Sequence, residues 1–201
     1  VRKVLFLILS FFLISACSMP DTKIYSLYIP ESDPIKGLGE VVIETNPKTG
    51  AALVILVQSP RYLAQPYIAH RNSPFQIEIS KYSKWVSPPS EVLKEALKDS
   101  LLPTNLFSEI RTSKSVPEGF FLLEVSLKKF ERFDEGSESF GSMMFGAKLV
   151  SPEGKVIYQE TISKHIRLED RTFLSLAVGL SRAFSESMEE VREGVIMSVV
   201  K

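Results

Sequence analysis

The chain has 201 residues with 24 basic and 24 acidic side chains, so its formal net charge is zero and a uniformly basic, polyanion-binding composition is excluded. Apolar residues at 44% and charged residues at 24% exclude wholesale disorder. The single cysteine, Cys17, excludes an internal disulfide framework and a cysteine-based zinc site within one chain.

At the N-terminus Arg2 and Lys3 precede an apolar run from Val4 to Ile14 broken only by Ser10. As a helix this run measures roughly 17 Å at about 1.5 Å per residue, against about 30 Å of bilayer core. It therefore reads as the apolar region of a secretory signal, with Val1 taken as the product of an alternative start codon. Ile14-Ser15-Ala16-Cys17 looks like a bacterial lipobox: an aliphatic residue, two small ones, and the thiol that accepts diacylglycerol. Residues 1–16 are expected to be removed. Residues 17–22 then form an acylated tether and residues 23–201 one domain. Each buried CH₂ contributes about 0.8 kcal/mol and stable anchoring takes about two chains, so a protein acylated in this way stays on the membrane. Ser18 stands where proteobacterial sorting commonly places Asp for inner-membrane retention, which favours the outer membrane, facing the periplasm.

Short β-type runs follow. Lys23 to Ile29 is a first strand, Pro30 to Gly39 a loop, Val41 to Thr45 a second strand, and Asn46 to Gly50 a turn. Ala51 to Val57 is apolar throughout and predicts a strand buried on both faces. Tyr62-Leu63-Ala64 predicts a helical turn, followed by an extended segment from Tyr67. Phe75, Ile77 and Ile79 alternate with Gln76, Glu78 and Ser80, the pattern of a half-buried strand. Ser87-Pro88 predicts a cap and first-turn proline for a helix whose apolar face is Val92, Leu93, Ala96, Leu97 and Leu101, with Pro103 ending it.

Phe107 to Thr112 is a short strand. Phe121, Leu123, Val125 and Leu127 share one strand face, and Met143, Phe145, Ala147 and Leu149 another, with Glu135 to Ser142 read as a mobile loop between them. Ser151-Pro152-Glu153-Gly154 turns the chain into a strand carrying Val156, Tyr158, Ile162 and Ile166. Asp170 or Thr172 caps a long final helix with an apolar stripe at Phe173, Ala177, Leu180, Phe184, Val191 and Val195. The sum is an α+β single domain, a mainly antiparallel sheet with two helices packed on one face.

Chemistry is sparsely supplied. His165 alternates onto a polar strand face with Ser163 and Arg167, and His70 lies beside a turn with no second ligand at metal spacing. Glycine-rich phosphate loops, nucleophile elbows and aromatic–arginine strands for nucleic acid are absent from the sequence. The expectation is a non-enzyme without catalytic residues, cofactor, metal or nucleic-acid partner.

Ser59 to Leu102 is the most individual stretch. Tyr62-Leu63, Gln65-Pro66, Tyr67-Ile68, Arg71, Tyr82, Trp85, Val92-Leu93 and Leu97 resemble the signature region of the ABC-type transport auxiliary lipoproteins, the PqiC- and YmbA-like family, and Tyr25-Ser26-Leu27 resembles its first strand. The family often has Arg where this chain has Gln65, and Ala-Glu-Pro-Leu where it has Val86-Ser87-Pro88-Pro89, so no role of that arginine transfers. The resemblance implies an outer-membrane lipoprotein that docks an MCE-domain protein and its ABC transporter in intermembrane lipid transport, with homo-oligomers a further expectation. Tyr62, Tyr82 and Trp85 are candidate interface anchors, since Tyr and Trp are enriched at hot spots; the competing reading places them in the chain's own core. Two alternatives stand beside docking: a periplasmic lipid carrier with a closed apolar cavity, and a general envelope-assembly lipoprotein such as a secretion pilot.

Overall fold

A computed structural model describes residues 20–28, 49–113 and 115–200. The signal segment, Cys17, the loop at Pro30 to Gly39 and the strand expected at Val41 to Thr45 lie outside the described residues. The observed strands are β1 (Lys23–Tyr25), β2 (Leu53–Gln58), β3 (Tyr67–Ser73), β4 (Gln76–Trp85), β5 (Ile110–Thr112), β6 (Phe121–Glu135), β7 (Glu138–Val150) and β8 (Val156–Arg167). Helix α1 (Pro89–Leu101) follows β4, and helix α2 (Phe173–Val199) closes the chain.

The eight strands among the described residues join one open sheet organised around β6. One edge of β6 carries β7 and then β8, both antiparallel. The other edge is shared: β2 runs parallel to the first half of β6, and β3 runs parallel to the second half. Beyond β2 lies β5, also parallel; beyond β3 come β4, antiparallel, and β1, parallel to β4. The expected mainly antiparallel sheet is thus corrected to a mixed one. Alternation of apolar residues fixes which face a strand buries and says nothing about strand direction. The direction here follows from the crossover through α1, which returns the chain to run parallel to β2.

The helices share one sheet face. Phe130, Met143, Phe145, Ala147, Leu149 and Ile162 point toward them and meet Leu93, Leu97, Leu180, Phe184, Val191 and Val195 in one core. The predicted stripe of α2 lies in this core, and Thr172 caps the helix by accepting a hydrogen bond from Ser175 N at 3.1 Å. Helix α1 differs at its start: Pro88 occupies the cap position with no side-chain hydrogen bond, and Pro89 is the first-turn proline. In β2, Leu53, Val54 and Ile55 are fully buried, whereas Leu56 and Val57 are only partly so.

The segment from Glu135 to Ser142 is not a loop. Glu135 pairs with Glu138, so β6 and β7 are joined by a two-residue turn at Gly136-Ser137. Gly136 takes φ +57°, at the position where type II′ hairpin turns place glycine. The polar composition of Glu135-Gly136-Ser137-Glu138-Ser139 hid a hairpin whose strands continue as far as the turn.

Gly194 allows the last turns of α2 to approach β8. A Cβ built there would lie 2.3 Å from the Tyr158 ring. Alanine at this position gains about 1 kcal/mol of helix propensity but overpacks by about 1–3 kcal/mol. Gly194→Ala is therefore expected to lower stability in thermal unfolding, and to raise it instead in a Tyr158→Leu background.

Candidate functional site

The Ser59–Leu102 stretch folds as one unit. Gln58 is opposite Ser126 and Ala69 opposite Glu131, so the residues between β2 and β3 leave the edge of β6 and return to it. Within that excursion Pro60 O accepts bonds from Leu63 N at 2.9 Å and Ala64 N at 3.3 Å, the helical turn the sequence predicts. Leu63 is buried, and its carbonyl accepts from Ser90 N at the start of α1. Pro66 O accepts from Trp85 N at 2.6 Å, and Tyr25 O from Val86 N at 2.8 Å. Leu63, Pro66 and Trp85 of the signature are thus tied to other parts of it, and Val86 to β1.

On the sheet face away from the helices this unit presents a buried ion pair. Arg71 Nη2 donates to Glu131 Oε2 at 2.9 Å, and Arg71 Nε lies 2.8 Å from Oε1 without hydrogen-bond alignment. Glu131 is only 2% exposed. Arg71 Nη1 also donates to Pro74 O at 3.2 Å, fixing the β3–β4 turn. Half-buried Tyr62 donates its hydroxyl to Lys128 O at 3.3 Å. Burial, and then the Glu131 carboxylate, hold the Tyr62 hydroxyl above its ordinary pKa, with Arg71 acting against them. A neutral acid whose folded pKa is raised contributes stability below its ordinary value of about 10 and loses it as pH rises toward the folded value. Tyr62→Phe is accordingly expected to flatten the decline of stability above about pH 10, measured by urea unfolding across that range.

Ser142 and His165 meet on the same face, Oγ to Nδ1 at 2.8 Å, with the imidazole stacked on Phe140 at 4.3 Å. The alternation that put His165 with Ser163 and Arg167 holds; its pairing with Ser142 depends on the β7–β8 register and was not legible from sequence. Among the described residues no carboxylate touches the ring to orient it, so the contact lacks the base–orienter link of a nucleophilic triad. His70 lies on the helix side, with Nε2 3.2 Å from Glu78 and its ring edge-on to Phe173. No group of three or more His, Cys, Asp or Glu gathers at metal distance among the described residues.

The predicted anchors separate. Trp85 is 4% exposed and packs edge-on against Phe130 at 5.3 Å, which makes it a core residue. Tyr82 is 41% exposed, and Tyr62 stands between the two. Phe75, Ile77 and Ile79 correct the sequence reading: they are 95%, 37% and 40% exposed. Their alternation is real, but the apolar side faces away from the helices. Ile79 is opposite Ala69, which is opposite Glu131 on the uncovered face, while Glu78 turns inward to His70.

Two concavities stand out among the described residues. One, of about 410 Å³, lies between the β6–β7 turn and the start of α2 and includes Glu138, Arg167, Asp170 and Arg171. The other, of about 420 Å³, lies on the uncovered sheet face among Gln58, Glu124, Lys128 and Lys148. Both are open and rimmed by charge, unlike the closed apolar chamber a lipid carrier needs.

No family model matches the chain. No curated protein sequence matches it either. Solved structures do share its fold. The protein XCC0632 from Xanthomonas campestris, described as a DUF330 family member, superposes with a TM-score of 0.70 at 16% identity, covering 88% of this chain and 96% of that one. A second, described only as uncharacterised, gives 0.60 at 15% identity over 88% and 99%. Both are similar in fold, and at these identities the similarity extends to fold alone.

Proposed function

We propose that this chain is an acylated lipoprotein of the bacterial outer membrane, facing the periplasm, that acts as the non-catalytic docking component of an MCE and ABC-type lipid transport system. The observation that carries the reading is the Ser59–Leu102 stretch. Its Tyr62-Leu63, Pro66, Arg71, Tyr82, Trp85 and Leu93 resemble the signature of the ABC-type transport auxiliary lipoproteins, and within the stretch Leu63 is bonded to Ser90, Pro66 to Trp85 and Arg71 to Pro74. The lipobox supplies the second support, since Cys17 stands six residues before β1.

In this reading the acyl chains confine the domain to one leaflet and the folded body offers a surface to the MCE protein. Confinement raises the effective concentration of docking sites, so modest pairwise affinity suffices. Tyr82 and the exposed part of Tyr62 are the anchors left on the surface; Trp85 supports them from within.

Crosslinking in native membranes, followed by capture of the lipoprotein, tests the proposal. Recovery of an MCE-domain protein with its ABC transporter is the expected result, and their consistent absence from crosslinked membranes removes the docking role. Cys17→Ser is expected to abolish labelling by alkyne-palmitate and to release the protein from outer-membrane fractions or leave it as uncleaved precursor. A Cys17→Ser protein that is still labelled and still sediments with the outer membrane removes the lipoprotein reading.

A further inference from the structure

We propose that the β3–β4 hairpin is a membrane-insertion element, which seats its apolar tip in the leaflet that holds the acyl anchor. The inference rests on the acylation of Cys17 and goes beyond it by assigning an end of the folded body to the bilayer.

Three observations converge on this hairpin. The first is its open apolar side. Phe75 sits at the tip almost fully exposed, and Ile77 and Ile79 face away from the helices, while Glu78 on the inner side pairs with His70. Glu78 is itself 45% exposed, so both sides of this end of β4 are open, and its apolar side is left for something other than the chain's own core to cover.

The second is direction. β1 runs parallel to β4, with Lys23 opposite Ser83 and Ile24 opposite Lys84. The chain preceding Lys23 therefore departs toward the N-terminal end of β4, the end at which Phe75 lies.

The third is length. From Lys23 back to Cys17 is six residues, a reach of about 20 Å at about 3.3 Å per residue. Tyr67, level with Lys84 and so with Ile24, is likewise six residues from Ser73 at the hairpin turn, again about 20 Å of strand. Six residues are thus long enough to reach from Lys23 to the level of the hairpin tip. So short a tether holds against the bilayer the end of the body from which it leaves.

The surroundings suit an interface. Tyr82 and Tyr67 lie higher on the hairpin, with Lys84 over the Tyr67 ring, and Lys81 and Lys23 are exposed. Behind the apolar tip, aromatic rings and lysines thus lie at about one level, the two kinds of side chain that anchor at a headgroup region. Arg71 holds the turn through Pro74 O, so the tip is presented as a fixed wedge.

Full-length acylated protein reconstituted in vesicles of phosphatidylethanolamine and phosphatidylglycerol with brominated acyl chains tests this. Phe75→Trp introduces an indole at the tip. Lys155→Trp introduces one at the far end, beside the β7–β8 turn. The native Trp85 is buried and provides the background. Expected is a blue shift with loss of emission for Phe75→Trp and neither for Lys155→Trp, with no loss of emission for either in unbrominated detergent. Equal quenching at both positions, or none at either, overturns the proposal. So does a blue shift that persists in unbrominated vesicles without quenching in brominated ones and disappears on dilution, since a second copy of the chain then covers the tip. Palmitate labelling of the same preparations separates the two claims. Unlabelled Cys17 removes both; labelled Cys17 with an unquenched tip removes the insertion alone.

Discussion

Replacing Arg71 with leucine is expected to lower the stability of the protein by about 3–5 kcal/mol, the usual consequence of leaving one member of a buried ion pair without its partner. Glu131 is 2% exposed and lies against the Arg71 guanidinium at 2.8 and 2.9 Å. Without Arg71 the carboxylate keeps its desolvation penalty and loses its compensation. The pair itself adds little net stability, because bringing two charges out of water costs about as much as their attraction returns. The double variant Arg71→Leu with Glu131→Leu is therefore expected to recover most of the loss. Urea unfolding of the detergent-solubilised protein, followed by Trp85 fluorescence, measures all three. A single variant within about 0.5 kcal/mol of the parent, the range of ordinary surface substitutions, shows a pair screened by water and removes the argument.

The ion pair also shows where sequence reasoning stopped. Arg71 was visible as part of the Ser59–Leu102 signature, but its partner was not. Glu131 belongs to β6, sixty residues later, and reaches Arg71 only because β3 rejoins the edge of β6 after the 59–66 excursion. No local pattern in the chain encodes that return. Local patterns did carry the parts that depend on local physics: the inward faces of β6 and β7, the tight turn at Ser151 to Gly154, the stripe and Thr172 cap of α2, and the one-sided placement of both helices. They failed where partners decide. Strand direction in the mixed sheet, the continuation of β7 through Ser139 and Phe140, and the Ser142–His165 contact all depend on which strand lies alongside.

The β3–β4 hairpin failed for a related reason. A period of two marks a strand with one apolar side. It does not say what covers that side, which in most domains is the core. Here the opposite side carries Glu78 and faces His70 and Phe173. The misreading and the proposed membrane contact have the same physical origin, an apolar strand face with no helix over it.

Trp85→Ala is expected to destabilise the domain by about 3–5 kcal/mol, as removal of a buried aromatic does, while Trp85→Phe should cost much less. Trp85 joins β4 to the core through an edge-to-face series: its ring lies 5.3 Å from Phe130, which lies 6.4 Å from Phe184 on α2. Truncation to alanine removes the first member and leaves a cavity between sheet and helix. Phenylalanine keeps the edge-to-face contact. It also deletes the indole N–H, which is buried without a hydrogen-bond acceptor among the described residues. An unpaired buried donor costs about 1–3 kcal/mol, which offsets much of the lost ring area. The two variants thus separate a core role from a docking role for the same side chain. A core tryptophan gives a large loss of stability on truncation and near-parent stability and partner capture for the phenylalanine variant. A docking anchor gives near-parent stability for both variants and loses capture of the MCE-domain protein in both, and that pattern would move Trp85 out of the core and onto the interface.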